Sequence, residues 1–285
     1  MVEEIKQLIN NYYGNISVYA NDCKGTIINF NDNNVVETAS CIKIFILIEY
    51  YKQILEGKKS RNDILTYEYD KHYMKNGSGI IQYLDKLELT SKNMAILMII
   101  DSDNIATNIM IEYLGIENIN NTINLLQFKN TKLLCPKLDF NTYKNIGKTT
   151  AKEYGELYIK LLNKEILNPE ICGEIIEILK NQLHNDLLTR KLPLEDLNEI
   201  GEKNSNIQYI ASKSGGLGDK KYGIGNCRND GGVIATKFGS YIISIFINDF
   251  NDYYWHRDNE ALLIGGKIHY IIYKNFIDNK GKFVL

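Results

Sequence analysis

The chain has 285 residues, of which 44% are apolar and 24% charged, a globular composition that argues against whole-chain disorder. Its 33 basic and 35 acidic residues give a net charge of -2, which argues against nucleic acid as the main partner. No apolar run of about 18 residues is present, so the sequence predicts no membrane-spanning helix.

The N-terminus and the cysteines predict an intracellular chain. Residues 1–6 are acidic and no apolar segment follows them, so we expect no signal peptide. The five cysteines are widely spaced and form no Cys-x-x-Cys pair, which argues against a disulfide framework or a zinc site. We therefore expect free thiols and a cytoplasmic location. A secreted chain whose signal has been trimmed is the alternative.

The predicted elements change from strands to helices and back along the chain. The N-terminal part predicts a helix over 3–13, strands over 15–22 and 25–31, and a buried apolar helix from Ser40. Residues 50–200 are predicted to be almost entirely helical, with helical periodicity in segments 90–101, 104–114, 117–127, 149–164 and 168–183. The predicted ends of these helices are N-caps at Thr90, Thr149 and Asn168 and a stop at Gly115. The C-terminal part predicts strands over 206–212, 232–236 and 240–247 and a closing helix over 259–276.

This order predicts an α+β fold. Strands near both chain ends would form one antiparallel sheet, flanked by the terminal helices, with an all-helical lobe inserted between them. We predict a single domain over 1–285, in which 1–45 and 200–285 form an α/β lobe and 46–199 a helical lobe. The cleft between the two lobes is the natural place for a site.

Motifs for nucleotides and metals are incomplete. Gly147-Lys148-Thr149-Thr150 resembles the end of a phosphate loop, but position 142 is Thr where that loop needs Gly. The histidines show no metal-ligand spacing, and each is expected to be structural or on the surface: His72, His184, His256 and His269. We therefore predict no metal site and no cofactor.

The first motif that carries chemistry is Ser40-Cys41-Ile42-Lys43. Ser40 and Lys43 lie one helical turn apart on one face, at the predicted start of the apolar helix. Free backbone N–H groups at a helix start favour negative charge on a serine oxygen, and burial of a lysine favours its neutral, basic form. A neutral lysine beside a serine is a workable general base. The alternative is a lysine that only extends from a core helix to solvent.

Two further motifs contain hydroxyl, amide and amine groups. Ser102-Asp103-Asn104 falls between two apolar helices, where Ser102 and Asn104 can point to one side of a short turn, or where the segment only caps a helix. Lys213-Ser214-Gly215-Gly216 ends a predicted strand, where Lys213 and Ser214 can hold a carboxylate and the glycines permit close approach of a ligand. A plain strand end with a glycine turn is the alternative.

The three motifs in this order resemble the set found in class A β-lactamases and penicillin-binding proteins. Supporting stretches are residues 77–84, 97–108 and 229–234, so the resemblance covers nearly the whole chain. It implies that Ser40 is the acylated nucleophile, that Lys43 is its base or proton relay, and that Ser102 carries a proton to the leaving nitrogen while Lys213 nearby sets the local electrostatic field. The remaining roles that it implies are substrate amide binding by Asn104, carboxylate binding by Lys213 and Ser214, and an oxyanion hole at the backbone N–H groups of Ser40 and Gly216.

The chain departs from that family in two places. Residues 137–149 correspond to the loop in which class A β-lactamases carry the glutamate that activates water, but they contain no glutamate. Asp139 is the only carboxylate there, and it resembles a structural aspartate. The segment 217–227 is longer than the family's tight turn and is expected to be mobile. Arg228 beside it is a candidate carboxylate partner, with a solvated surface arginine as the alternative, and Cys41 is expected to pack in the core.

We therefore expect a serine hydrolase that cleaves an amide or ester of a small-molecule or peptide-like substrate with a carboxylate, with weak or absent β-lactam turnover. The first alternative is a transpeptidase or acyltransferase that passes the acyl group to an amine. The second is a penicillin-type ligand-binding or sensing module. The sequence predicts neither a nucleic-acid partner nor a membrane partner, and it leaves the oligomeric state open.

Overall fold

The computed structural model describes residues 1–72, 74 and 77–285. Its helices are α1 (Val2–Asn10), α2 (Lys43–Leu55), α3 (Tyr69–His72), α4 (Ser91–Ile100), α5 (Asn104–Leu114), α6 (Ile116–Leu125), α7 (Ala151–Leu162), α8 (Pro169–Lys180), α9 (Asp186–Thr189), α10 (Leu194–Asn198) and α11 (Glu260–Asp278). Its strands are β1 (Asn15–Asn21), β2 (Ile27–Phe30), β3 (Val36–Glu37), β4 (Ile64–Glu68), β5 (Lys86–Thr90), β6 (Lys132–Leu133), β7 (Gly147–Thr149), β8 (Ile207–Ser212), β9 (Gly215–Asp219), β10 (Ile224–Thr236) and β11 (Gly239–Asn248). Short 3-10 helices cover Ala39–Ile42 and Ile81–Tyr83. Within these described residues, no helix is long and apolar enough to cross a membrane.

The main sheet is antiparallel and joins the two ends of the chain, as the sequence predicted. Its order is β2-β1-β11-β10-β8, and β9 also pairs with β10. β1 pairs with β11 from Asn15 opposite Asn248 to Asn21 opposite Ile242, so N-terminal and C-terminal strands are neighbours. The predicted α+β architecture is confirmed.

The sheet separates two apolar clusters, and β11 contributes alternate residues to each. Ile242 and Phe246 belong to the cluster that contains α2 and the central helices. Ile243, Ile245 and Ile247 belong to the cluster on the other face, which contains α11. This period-two alternation is what a strand covered on both faces requires. The sheet is therefore covered on both faces, and α2 lies within the cluster on one of them.

The central region contains more strand than the periodicity predicted. β4 pairs with β5, and β3, β7 and β6 form a small sheet, so the expectation that 50–200 is almost entirely helical was wrong. The N-caps at Thr90 and Asn168 and the stop at Gly115 are confirmed. The predicted N-cap Thr149 instead ends β7, and Thr150 caps α7 by accepting a hydrogen bond from Glu153 N.

The segment 217–227 is not the long turn that the sequence predicted, whereas its mobility stays a prediction. Most of it lies in strands, because β9 extends to Asp219 and β10 begins at Ile224. Gly216 lies opposite Arg228, and Leu217 opposite Cys227. Glycine disfavours strands in isolation, but pairing with a long neighbouring strand overrides that preference here. The division into lobes 1–45 with 200–285 and 46–199 stays a prediction.

Candidate active site

The three motifs line one cleft of about 1690 Å³. The residues of these motifs that line it are Ser40, Ser102, Asn104, Ser214, Gly215 and Gly216. Lys43 and Lys213 lie beneath its surface, each with 0% of its area exposed. The structure thus brings together residues from Ser40 to Gly216, which are far apart in the sequence.

The nucleophile's turn is held in an uncommon backbone conformation. Ala39, directly before Ser40, has φ of 46°, in the left-handed region that costs a non-glycine residue about 1 kcal/mol or more. Glu37 stabilises this turn, since its Oε1 accepts hydrogen bonds from Ala39 N (2.9 Å), Ile146 N (3.1 Å) and Gly147 N (3.1 Å). Burial raises the pKa of Glu37, and these N–H groups oppose that rise. Glu37 therefore ties the turn of Ser40 to the segment that ends the 137–149 stretch.

Glu37 was missed in the sequence. The available signal was its position, because a carboxylate just before a helix start can accept the free N–H groups there. The contacts with Ile146 and Gly147 depend on tertiary structure and left no local signal.

Lys43 is directed toward the second motif. Its Nζ donates to Ser102 O (2.6 Å), Asn104 Oδ1 (2.8 Å) and Ser102 Oγ (3.1 Å). Within the described residues these are its hydrogen bonds, and its ammonium does not contact the Ser40 hydroxyl in this state. Burial holds the pKa of Lys43 well below its usual value, and the charge of Lys213 lowers it further. Both effects favour the neutral amine, the form in which a lysine can accept a proton.

Ser102 occupies a tight connection between α4 and α5. Its φ is 53°, also in the left-handed region. Asp103 caps α5 by accepting from Ala106 N, and its other carboxylate oxygen accepts from Ile81 N at 2.8 Å. A Cβ atom on Gly79 would lie 2.2 Å from Asp103 Oδ2, so only glycine permits this approach. The segment near Gly79 thus helps to fix the turn that carries Ser102. The residue of this motif that caps a helix is Asp103, not Ser102.

Lys213 lies at a break in the edge of the sheet. β8 and β9 both pair with β10: β8 ends with Ser212 opposite Gly232, and β9 begins with Gly215 opposite Asn229. Lys213 and Ser214 lie between these two strands. Lys213 Nζ donates to Ser102 Oγ (3.1 Å) and Ser214 O (2.8 Å). Burial lowers the pKa of Lys213 to about 8.

The backbone of Lys213 is fixed from the core. Its carbonyl accepts hydrogen bonds from the Tyr154 hydroxyl at 2.8 Å and from the Cys41 thiol at 3.3 Å. Cys41 is completely buried, as the sequence predicted, and burial raises the pKa of its thiol to about 12. Cys41 is therefore a packing residue that also orients Lys213.

Asp230 is a second residue that the sequence left without a role. It is completely buried, and its carboxylate accepts from Gly231 N (2.9 Å) and Leu188 N (3.3 Å). Burial raises its pKa to about 7, while the charge of Lys213 opposes that rise. This carboxylate in turn favours the charged form of Lys213.

Gly215 brings β9 against the nucleophile's turn. A Cβ atom there would lie 2.6 Å from Ser40 N, 2.7 Å from Cys41 N and 2.8 Å from Thr38 O. Because these are backbone atoms, no side-chain movement could relieve the contact. Gly216 follows at the cleft surface, as the predicted pair of oxyanion donors at Ser40 and Gly216 requires. The Ser214 hydroxyl donates to the carbonyl of His184 on the opposite wall.

Arg228 lines the cleft but is not a solvated surface arginine, because only 3% of it is exposed. Its Nη1 donates to Leu217 O (2.8 Å) and Cys227 O (2.8 Å). Its guanidinium lies 3.8 Å from the ring centroid of Trp255. Binding of a substrate carboxylate by Arg228 stays a prediction.

The histidines and Asp139 occupy different surroundings. His269 is buried between the Tyr241 hydroxyl and Leu188 O, a structural position. The other three histidines line the cleft: His72, His184 and His256. Asp139 also lines it, and hydrogen bonds from the Thr142 hydroxyl and Asn141 N lower the pKa of this carboxyl. Within the described ranges, no group of three or more His, Cys, Asp or Glu residues is arranged to hold a metal ion.

Comparison with solved structures places this geometry among known folds. PBP-A superposes with a TM-score of 0.80 at 24% identity, over 97% of this chain and 96% of the other. A PBP-A variant solved as an acyl-enzyme complex with penicillin G gives a TM-score of 0.80 at 25% identity, with the same coverage. A class A beta-lactamase from Mycobacterium abscessus gives 0.80 at 17% identity, over 97% of this chain and 99% of the other. Comparison with curated protein sequences gave no significant match.

The sequence itself matches a family model. The model of the Beta-lactamase enzyme family covers residues 1–276, which include every residue of the cleft named above. The β-lactamase-like fold and the penicillin-binding neighbours agree with that match. The chain therefore belongs to the beta-lactamase enzyme family.

Proposed function

We propose that this chain is a serine hydrolase that forms an acyl-enzyme at Ser40 from an amide or ester substrate bearing a carboxylate. The observation that carries the proposal is the continuous series of buried hydrogen bonds from Lys43 through Ser102 to Lys213, at the cleft that Ser40 and Ser102 line. A series of hydrogen-bonded groups of this kind can take a proton from an attacking hydroxyl and return it to a leaving atom.

The proposed reaction begins at Ser40. Its Oγ attacks the substrate carbonyl carbon while its proton passes to Lys43 Nζ, after Nζ turns from the Ser102 carbonyl toward Ser40. Negative charge develops on the carbonyl oxygen, where the backbone N–H groups of Ser40 and Gly216 would stabilise it. The tetrahedral intermediate then collapses, the bond to the leaving nitrogen or oxygen breaks, and the Ser102 hydroxyl donates the proton to the leaving atom. Lys43 restores the proton of Ser102.

Substrate binding is proposed to use both walls of the cleft. The amide of Asn104 is held by Lys43 through Oδ1, so its Nδ2 remains to donate to the carbonyl of a substrate amide. Lys213 and Ser214 would bind a carboxylate on the part of the substrate that leaves. Neither step needs a metal or a cofactor.

Release of the acyl group is proposed to be the slow step with β-lactams. The 137–149 stretch contains no glutamate, and the lowered pKa of Asp139 makes its carboxylate a weak base. Loss of a general base commonly reduces a rate about 10²–10⁴-fold. The free state of the cysteines further supports a cytoplasmic location, where β-lactams are not the expected substrates.

The test is the time course of penicillin consumption at high enzyme concentration. We expect a rapid phase of about one equivalent per enzyme, followed by slow consumption, and neither phase with Ser40→Ala. Fast steady turnover would contradict slow release. Product formation that depends on an added amine would show that the acyl acceptor is an amine rather than water.

A further inference from the structure

Trp255 is a large apolar side chain on the wall of the cleft. It lines the cleft with Tyr222 and Tyr254, and 67% of its area is exposed. It is also the only tryptophan in the chain. A large aromatic side chain left this exposed inside a concave site is characteristic of a contact surface for a ligand.

The indole lies directly over the strand that borders the nucleophile. A Cβ atom on Gly216 would lie 2.7 Å from Cη2 and 3.1 Å from Cζ3 of Trp255, so the ring rests on the glycine backbone. The guanidinium of Arg228 stacks against the ring, 3.8 Å from its centroid. Trp255 is therefore supported by two residues of the paired strands β9 and β10.

The loop that carries Trp255 is held by buried amides at its base. Asn259 Nδ2 donates to Asp252 O (2.9 Å) and Tyr254 O (3.1 Å). Asn226 Nδ2 donates to Phe250 O (3.2 Å) and Asp252 O (2.9 Å). A ring presented from a loop with these contacts is preorganised, so a ligand would not have to order it.

The position of the ring along the cleft identifies the part of the substrate that it faces. Asn104 lies on the wall assigned to the acyl amide, and Ser214 on the wall assigned to the carboxylate of the leaving part. Gly216 is two residues beyond Ser214 and also lines the cleft, and the ring stacks on Arg228, the candidate partner of the same carboxylate. The ring therefore borders the leaving part, which is the part not retained on Ser40.

We propose that Trp255 forms a subsite that selects substrates with an aromatic ring on the leaving part, next to its carboxylate. The indole would contact that ring, while Arg228 supports the indole from the protein side. This inference rests on the proposed acylation of Ser40, and it assigns the substrate class that the same site prefers.

A matched pair of esters tests the selection. The N-acetylglycyl esters of phenyllactate and of lactate have the same acyl group and the same carboxylate, and they differ by one phenyl ring. We expect the first to acylate the enzyme roughly ten-fold faster at low concentration, and Trp255→Ala to remove most of that preference. Trp255→Phe should restore part of it, and Tyr83→Ala should leave it unchanged, because Tyr83 is 80% exposed and does not line the cleft.

Fluorescence of Trp255 gives a second readout that does not need acylation. In Ser40→Ala, selective excitation reports this one indole, and we expect the phenyllactate ester to change its emission and to protect it from acrylamide quenching. The lactate ester should do so only at much higher concentration. If neither ester acylates the wild type but this fluorescence response persists, the result contradicts the proposed acylation of Ser40 and supports the aromatic subsite.

Other outcomes would overturn the subsite. Equal acylation by both esters, with no fluorescence response, contradicts it. An increase in acylation by both esters in Trp255→Ala would show that the indole only obstructs the cleft. A preference for an aromatic ring on the acyl part alone would contradict the assignment to the leaving part.

Discussion

Lys43 and Lys213 donate hydrogen bonds to the same atom, Ser102 Oγ, each at 3.1 Å. Two buried ammonium groups at one hydroxyl repel each other, so one neutral lysine is the less costly state. Burial lowers the pKa of both, well below the usual value for Lys43 and to about 8 for Lys213. Of the two, Lys43 is therefore the lysine whose neutral form is favoured more strongly, and Lys213 is the one that keeps its charge more readily. Ser102 can then donate to Lys43 and accept from Lys213.

The pH dependence of acylation should reflect the loss of the proton from Lys213. Because its pKa is lowered to about 8, the charge that would bind a substrate carboxylate is present below pH 8 and is lost above it. We expect the acylation efficiency of a carboxylate-bearing ester to fall above about pH 8, approaching ten-fold for each further pH unit. Measured rate–pH profiles should show a much smaller fall for the methyl ester of the same carboxylate. A carboxylate ester whose efficiency stays constant to pH 10 would rule out this role.

The volume-conserving variant Lys43→Met separates catalysis from stability. Removing the base should slow acylation about 10²–10⁴-fold. The free energy of unfolding should fall by no more than about 1–3 kcal/mol, because removal of a desolvated amine offsets part of the cost of leaving the Ser102 carbonyl and Asn104 Oδ1 without their donor. Chemical denaturation and acylation rates measure the two effects. A loss of stability without a loss of acylation would show that Lys43 is structural.

Gly215→Ala should separate β9 from the nucleophile. Its Cβ would lie within 2.8 Å of three backbone atoms, a conflict that costs about 1–3 kcal/mol and displaces the oxyanion donors. A displacement near 1 Å can cost about 100-fold in rate, so we expect acylation to fall by about that factor. Gly225→Ala is the matched control, because a Cβ at Gly225 meets nothing within 4 Å. Equal behaviour of the two variants in acylation assays would refute the argument.

Glu37→Ala should loosen the turn of Ser40. It removes the acceptor of three backbone N–H groups, and we expect a loss of about 2–4 kcal/mol in the free energy of unfolding. Glu37→Gln keeps an oxygen acceptor and should lose only about 1 kcal/mol. Urea denaturation measures both, and acylation should follow the same order. If Gln and Ala are equally damaging, the carboxylate charge rather than the acceptor oxygen matters.

The sequence predicted those parts of the site that depend on local spacing. The helix predicted from Ser40 begins instead at Lys43, and Ser40 lies in the short 3-10 helix before it, but the two residues stay close in the chain as the motif requires. Ser102 falls between the apolar helices α4 and α5, as predicted. β9 was not predicted, because Gly215, Gly216 and Gly218 do not favour strands by themselves. This strand forms because it pairs with β10. Glu37 acts through contacts that are far away in the sequence. The contacts of Trp255 with Gly216 and Arg228 are also distant in the sequence, so periodicity could predict neither set of contacts.

The most direct test of the central claim is the intact mass of the protein after addition of penicillin G, followed by peptide mapping. We predict a persistent adduct of one penicillin per chain, located on Ser40 and absent from Ser40→Ala. Unfolding curves of both proteins provide the control that the variant is folded. An adduct on another residue, or an equal adduct on Ser40→Ala, would contradict the assignment of Ser40 as the nucleophile. An unmodified protein with unconsumed penicillin would contradict the proposed β-lactam acylation.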